Sequence, residues 1–195
     1  MKLLAGRMVI AASFAAALLL LSGTAARAQS SNEKIKSDNQ ASAYCVQTGG
    51  VVEVRKPAYG TNGSDPLLLS GTKQFCRYTA SDKSSIWVLL STLTTPKPTL
   101  AALAYYAQEP YQGGNGSPGS LYCTQLGGTD LFGGINAAGG GWLLQDDETN
   151  VLDTCIFPDE SSIDSYGLFY HSDNIIRGID LSTVLKYANP YASKH

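Results

Sequence analysis

Ser42–Gly50 reads SAYCVQTGG, and Ser120–Gly128 nearly repeats it as SLYCTQLGG. Both spell Ser-x-Tyr-Cys-x-Gln-x-Gly-Gly, and self-similarity of this kind governs how the rest of a chain is read. Cys45 is followed by Cys76 and Cys123 by Cys155, at separations of 31 and 32 residues. Each second cysteine precedes a Ser-Ser-Ile tripeptide, Ser84–Ile86 and Ser161–Ile163, and then an aromatic and aliphatic run. LAALAYYAQEPY (Leu100–Tyr111) aligns with LSTVLKYANPY (Leu181–Tyr191) after one deletion, sharing the leading Leu, the Tyr-Ala pair and the closing Pro-Tyr. The chain therefore divides into a repeat at 41–111, a breaker-rich linker at 112–118, a second repeat at 119–191 and a tail at 192–195. The fold class expected is α+β: two tandem small repeats, each a helix, a strand hairpin and a helix, stapled by one disulfide.

Ahead of the repeats, residues 1–28 have a basic start (Lys2, Arg7), an apolar run from Met8 to Leu21 and an Ala26-x-Ala28 site. This is the three-part grammar of a secretory signal peptide, and the run is shorter than the ~20 residues a membrane span needs. Without residues 1–28 the 14 basic residues lose Lys2, Arg7 and Arg27, and against 16 acidic ones the net charge is −5. A mildly acidic chain without basic clusters suits neither nucleic acid nor an anionic membrane surface. Residues 29–40, QSSNEKIKSDNQ, are polar without apolar periodicity and read as an extended or disordered arm.

Four cysteines in an exported chain read as two disulfides. The repeat chooses among the three pairings, because whatever one copy does the other should do: Cys45–Cys76 and Cys123–Cys155. Each closed loop stabilises by roughly 3 to 4 kcal/mol in the chain-entropy account. No Cys-x-x-Cys is present, and the two histidines, His171 and His195, have no counterpart in the first repeat.

Along the first repeat, Ala41–Thr48 reads as a helix capped by Asn39 or Ser37 and ended by Gly49 and Gly50. VVEVRK from Val51 alternates apolar and charged residues, the pattern of a half-buried strand. Asn62-Gly63 signals a hairpin turn, and LLLSGTKQFCRY returns as the strand carrying Cys76. SSIWVLLSTL fits a buried strand or a helix equally. Pro98–Tyr106 reads as a helix with Leu100, Leu103, Ala104 and Ala107 on its apolar face. The glycine-rich stretch between Gly127 and Cys155 lacks the Lys-Ser/Thr pair of a phosphate loop and reads as turns around short strands. IIRGIDLSTVLKY ends the second copy as a helix capped by Asp180.

Little in the sequence points to chemistry, and no residue is assigned a catalytic, cofactor-binding or metal-ligating role. His171 in FYHSDN reads as an exposed or hydrogen-bonded loop residue, since catalytic triads assemble in space and not along the chain. Asp146, Asp147, Glu148, Asn150 and Asp153 lack the central glycine and terminal glutamate of a calcium loop and read as a solvated acidic turn. Asn62-Gly-Ser64 and Asn115-Gly-Ser117 fit the glycosylation rule and tight turns alike. Tyrosine is conspicuous, with 11 residues. Tyr44, Tyr106, Tyr111, Tyr122, Tyr187 and Tyr191 sit in or beside the repeat signatures, and their amphipathic rings suit either contact with a partner or packing between the repeats.

The pattern Ala-x-x-Tyr-Cys-x-x-x-Gly-Gly followed by Cys resembles a domain family of unknown function labelled putative haemolysins, found in small exported bacterial proteins, whose usual form is Pro-Ala-Ser-x-Tyr-Cys-x-x-x-Gly-Gly, a strand, Cys-x-Phe-Pro-Asp-Gly and an aromatic segment. The second copy keeps Tyr122, Cys123, Gly127, Gly128, Cys155, Phe157, Pro158 and Asp159. The first keeps Ala41, Ser42, Tyr44, Cys45, Gly49, Gly50 and Cys76, with Arg77-Tyr78-Thr79 where Phe-Pro-Asp is expected. The family's Cys-rich tail is missing from both, and the resemblance implies a fold without an established active site. As a whole, the chain also looks like the small third subunit of the membrane-bound quinohaemoprotein alcohol dehydrogenases of acetic acid bacteria. That resemblance implies a non-catalytic accessory subunit in the periplasm, on the periplasmic face of the inner membrane, touching the membrane only through its partners. Those partners would be a pyrroloquinoline-quinone dehydrogenase subunit and its cytochrome c subunit. The chain has no Cys-x-x-Cys-His haem motif and so is neither redox subunit by that motif. The alternative is a free-standing periplasmic binding module or inhibitor of a cell-envelope enzyme.

Overall fold

A computed structural model describes residues 36–59, 67–130 and 141–192. The signal-peptide reading, the arm up to residue 35, the Asn62-Gly63 turn and the core of the glycine-rich stretch lie outside the described residues. The chain divides after Asp38, and the unit described below is Asn39–His195. No helix among the described residues is long and apolar enough to cross a membrane.

Helix α1 (36–47) runs straight through Ser37 and Asn39, so neither caps its start, and the last residues of the predicted arm are helical and exposed. Burial of Ala41 and Cys45 on one face anchors the helix, and the polar residues before them extend it at little cost in propensity. Next come β1 (Val51–Tyr59), β2 (Leu67–Leu68), β3 (Lys73–Thr79) and β4 (Ser85–Leu89). The ambiguous SSIWVLLSTL is both elements in turn, because β4 passes directly into helix α2 (Leu90–Thr94). Helix α3 (Leu100–Ala107) follows, then α4 (Pro118–Gln125), β5 (Gly141–Leu144), β6 (Asp147–Leu152), β7 (Thr154–Ile156), β8 (Ser162–Asp164) and α5 (Ser165–Ser172).

The strands of both halves form one antiparallel sheet in the order β6-β5-β1-β3-β4-β8-β7, with β2 paired to β1. The two ends of that order, β6 and β7, are separated in sequence by Asp153 alone. The sheet must therefore curl until its first and last strands nearly meet, giving a near-barrel with an inner and an outer face. Cys76, Val88, Ile163 and Cys155 lie in one row across it. Their side chains face outward into the larger core with Tyr78, Ile86, Leu93, Tyr105 and Leu168. The inner face holds a smaller cluster of Phe75, Leu89, Trp142 and Leu152, against which Trp87 and Ile156 pack.

The doubled Tyr-Cys…Gly-Gly builds the same corner twice. Disulfides join Cys45 to Cys76 and Cys123 to Cys155, accounting for every cysteine. Gly49 and Gly127 end α1 and α4 at φ of +90° and +83°, the left-handed closure that favours glycine. The next glycines donate back to the helix cysteines, Gly50 N to Cys45 O and Gly128 N to Cys123 O, both at 2.9 Å. A Cβ on Gly50 would stand 2.3 Å from Cys76 Sγ, and one on Gly128 2.4 Å from Cys155 Sγ. The first glycine thus serves the turn and the second makes room for the disulfide.

The turns before the Ser-Ser-Ile tripeptides match as well. Ala80 N donates to Ser84 O and Lys83 N to Ala80 O; Phe157 N donates to Ser161 O and Glu160 N to Phe157 O. Lys83 and Glu160 share a left-handed φ of 72° and 62°. Ala80-Ser81-Asp82 therefore occupies the place of Phe157-Pro158-Asp159, and Arg77-Tyr78-Thr79 is strand. The first hairpin is longer, so Cys76 faces Val88 whereas Cys155 faces Ile163.

The half-buried strand expected at VVEVRK is β1, with an unforeseen buried face, and two expectations, for α3 and for the C-terminal helix, are corrected. On β1 the charged residues, not the valines, are buried: Glu53 and Arg55 lie on the inner face, while Val51 is exposed and Val54 half-buried. The reason is the guanidinium's full set of partners. Arg55 Nε and Nη2 donate to Glu53 Oε2 at 2.9 and 2.6 Å, Nη1 donates to the carbonyls of Trp142 and Asn150, and Nη2 also donates to Asn150 Oδ1 at 2.9 Å. Trp87 Nε1 donates to Glu53 Oε2 at 2.8 Å, and Arg77 Nε lies 3.1 Å from Oε1. A buried charge with every donor used is tolerated where an unpaired one is not.

On α3 the buried side is Ala101, Ala102, Tyr105 and Tyr106, not the Leu100, Leu103, Ala104, Ala107 stripe. The C-terminal helix shrinks to one 3-10 turn (Leu181–Thr183), although Asp180 caps it as expected, accepting from Ser182 N. Beyond it Tyr44 Oη donates to Val184 O, Tyr106 Oη donates to Tyr187 O, and Lys186 N donates to Leu93 O. Groups that would continue a helix are used in tertiary contacts instead.

Candidate functional site

The turn Phe157–Ser161 between β7 and β8 organises the surface around it. Asp159 Oδ1 accepts from Ser161 N at 3.1 Å and from Ser161 Oγ, while its Oδ2 accepts from Leu100 N at 2.8 Å. Ser161 Oγ accepts from Ala101 N at 3.0 Å, and Thr99 Oγ1 accepts from Ala102 N at 3.2 Å. Three N–H groups of the first turn of α3, which a helix cannot satisfy internally, are thus held by this hairpin turn and the cap. Burial pushes the Asp159 carboxyl up, but the bonds from Ser161 and Leu100 outweigh it and hold the group below its ordinary range.

With its start fixed in this way, α3 turns Tyr105 and Tyr106 into the core and leaves Leu100, Leu103, Ala104 and Ala107 on a surface groove. Leu126 at the end of α4, Phe157 and Pro158 of the turn, and Tyr191 complete its apolar wall, with Glu109 and Gln125 at its edge; the groove encloses about 470 Å³. Leu100 remains 42% exposed. The stripe that amphipathicity identified is real, but it faces outward.

The six tyrosines singled out from the sequence are placed differently. Tyr106 and Tyr122 are buried, and their hydroxyls donate to the carbonyls of Tyr187 and Glu109. Burial pushes both phenols up to about 12. Tyr44 is half-buried beneath Lys186, whose Nζ lies 4.4 Å from the ring centre. Tyr111 meets Tyr122 and Phe169 edge-on, at 6.1 and 5.1 Å between centres, and Tyr187 tilts against Tyr106. Tyr191 alone of the six lines the groove. Sequence reasoning passed over Tyr105, which stacks on His171 with ring centres 3.7 Å apart and accepts from Leu181 N. His171 is accordingly a buried residue of α5, not a loop residue, and burial lowers its pKa. No single-sequence signal marks that pair, because the two rings come from helices far apart in the chain.

The predicted acidic turn is only partly solvated. Asp147 is exposed and accepts from Thr149 N and Oγ1, but Asn150 binds Arg55 and Asp153 is half-buried beside Asp130. Burial, with the Asp130 charge, raises the Asp153 pKa to about 6. Asp164, which caps α5 by accepting from Tyr166 N at 3.0 Å, is raised to about 7 by burial against the opposing pull of its hydrogen bonds and Arg177. A carboxyl whose folded pKa lies above its unfolded value stabilises the fold when protonated, and that contribution is lost as pH rises through the folded pKa. These two carboxyls should therefore lower the unfolding free energy by roughly 2 kcal/mol or more between pH 4 and pH 8, partly offset by His171, whose lowered pKa makes its contribution rise with pH. Asp164→Asn should flatten that slope in denaturant titrations at several pH values; an unchanged slope would contradict the assignment. Below about pH 4 the sign reverses, because Asp159, Asp82 and Asp147 have lowered pKa values and lose stability on protonation.

Among the described residues no group of three or more His, Cys, Asp or Glu could hold a metal ion. No protein-family model matches the chain, and no curated protein or solved structure matches it.

Proposed function

We propose that this chain is a non-catalytic accessory subunit that docks, through the α3 groove, on a larger exported enzyme. The observation that carries the reading is the apolar stripe of α3, left on the surface and continued by Leu126, Phe157, Pro158 and Tyr191. Apolar surface with a polar edge is the composition of a protein contact. Two disulfides, together with the signal-like start of the sequence, favour an oxidising compartment. The resemblance to the small subunit of quinohaemoprotein alcohol dehydrogenases supplies the partner: the quinone-dependent, haem-bearing subunit that oxidises ethanol, with its cytochrome c subunit. The twofold recurrence of the Cys-Gly-Gly corner and of the Asp-centred turn supports a tandem duplication as the origin of the fold. An accessory protein that binds only the folded partner stabilises it by mass action.

The test is affinity capture of the tagged chain from gently solubilised membranes of its host, with haem spectra and mass spectrometry of what co-purifies. A dehydrogenase and a cytochrome in fixed ratio are expected. Leu100→Asp, an exposed change whose carboxylate gains from the helix start but is repelled by Asp159, should cost less than about 1 kcal/mol of stability and reduce capture at least about 30-fold, the scale of an interface hot spot. Recovery of a wall-degrading enzyme would instead favour the free-standing binding module, and undiminished capture by Leu100→Asp would remove the groove from the contact.

A further inference from the structure

The loop between α3 and α4 carries Asn115-Gly116, a dipeptide that the docking function leaves unused. Its ends are held. Gln112 N donates to Gln125 Oε1 at 3.0 Å, Gln125 Nε2 donates to Pro110 O at 2.8 Å, and Ser117 Oγ bonds Tyr166 Oη at 3.0 Å. Between these anchors the residues are exposed, and the chain bends at Asn115 and Gly116. Gly114 and Gly116 hold φ of 150° and 146°, values that a side chain would strain. Among the described residues neither the Asn115 carboxamide nor the Gly116 N–H has a hydrogen-bond partner.

The other four described asparagines lack this combination. Asn150 Oδ1 accepts from Arg55, Asn174 Oδ1 from Gln108 and Asn189 Oδ1 from Tyr191 N. Asn39 lies inside α1. The residues that follow the four are Gln40, Val151, Ile175 and Pro190. Three of these bring a side chain beside the next backbone nitrogen, and proline has no N–H to lose.

We propose that Asn115 is a modification site, converted to isoaspartate by attack of the Gly116 backbone nitrogen on the asparagine side chain. The nitrogen bonds to Asn115 Cγ, the bond from Cγ to the amide nitrogen breaks, and ammonia leaves with the proton that Gly116 N gives up. The result is a five-membered imide. Water opens it at the main-chain carbonyl to leave the chain running through the side-chain carbonyl, which is isoaspartate, or at Cγ to leave aspartate. One water is consumed and one ammonia released, with no oxidant or reductant. Asparagine is among the thermolabile residues, and the loop removes the usual obstacles. The carboxamide has no bond to give up first, glycine puts no Cβ beside the attacking nitrogen, and an exposed loop admits the water. The extra backbone atom and the new carboxylate fall between the anchors at Gln112 and Ser117, so the loop absorbs them and the modified chain stays folded. The site is independent of the α3 groove, and the docking function does not require it.

The experiment incubates the whole folded chain at mildly alkaline pH, where a backbone nitrogen loses its proton more readily. Each asparagine is followed by peptide mapping, with electron-transfer fragmentation to tell isoaspartate from aspartate. Asn115 should convert at least about tenfold faster than Asn39, Asn150, Asn174 and Asn189, a barrier lower by about 1.4 kcal/mol, with isoaspartate as the main product. Asn115→Gln, whose side chain is one carbon too long to close the five-membered ring, should stay unmodified at that position and keep the wild-type unfolding midpoint. Asn62-Gly63 is the same dipeptide and serves as the chemical reference. The proposal is overturned if Asn62 converts while Asn115 does not, if Asn115 converts no faster than the other four, or if Asn115→Gln is modified there at the wild-type rate. A sugar on Asn115 in chain purified from its host would overturn it as well, because the carboxamide nitrogen that must leave would be blocked.

Discussion

Arg55→Leu is expected to cost about 3 to 5 kcal/mol of unfolding free energy, the scale of a buried ion pair broken on one side only. Arg55 is fully buried and each of its five N–H groups has an acceptor. Removing it leaves the carbonyls of Trp142 and Asn150 without their side-chain donor, and leaves Glu53 on the inner face with only Trp87 and the half-exposed Arg77. The dominant penalty is the stranded Glu53 carboxylate, so a second change should recover much of it. Glu53→Gln with Arg55→Met, which removes both charges at similar volume, should lie closer to wild type than Arg55→Leu alone. Denaturant titration of the three chains decides this. A cost below about 1 kcal/mol for Arg55→Leu would mean that water reaches the network and that the inner face is not closed.

Gly50→Ala and Gly128→Ala should each be as damaging as losing a disulfide, about 2 to 5 kcal/mol. The methyl would approach Cys76 Sγ or Cys155 Sγ at 2.3 or 2.4 Å, and the helix cysteine's sulfur at 2.9 or 3.0 Å. Neither sulfur can yield, because each is buried and tethered to the other. Either the corner opens or the bridge fails to form, and thiol titration of the unfolded chain under non-reducing conditions separates the two. Gly49→Ala and Gly127→Ala are the controls. Nothing lies within 4 Å of a Cβ at either position, so only the left-handed backbone is strained, at about 1 to 2 kcal/mol, and the disulfides should remain intact. Equal effects for the first and second glycines would show that the sulfur contact does not govern the corner.

What the sequence by itself determined about this protein is local. Helix α1 ends at Gly49 and α4 at Gly127 because the left-handed turn is a property of a few consecutive residues. The pairing of Cys45 with Cys76 and of Cys123 with Cys155 followed from the repeat, and the corners that result need no knowledge of the rest of the fold. The start of α3 was legible to within two residues, since its Thr99 cap is local, and Asp180 was legible as a cap even though the helix behind it stops after one turn. Which side of each element is covered was decided only by the tertiary structure. The valines of β1 look like its buried set until the sheet curls and places Arg55 beside the carbonyls of Trp142 and Asn150, residues far along the chain. The stripe of α3 looks like a core face until Asp159 and Ser161 take its first N–H groups and turn Tyr105 and Tyr106 inward. Periodicity reports that an element has two faces, whereas the partner that covers one of them is contributed by residues distant in sequence, and a single sequence carries no record of that proximity.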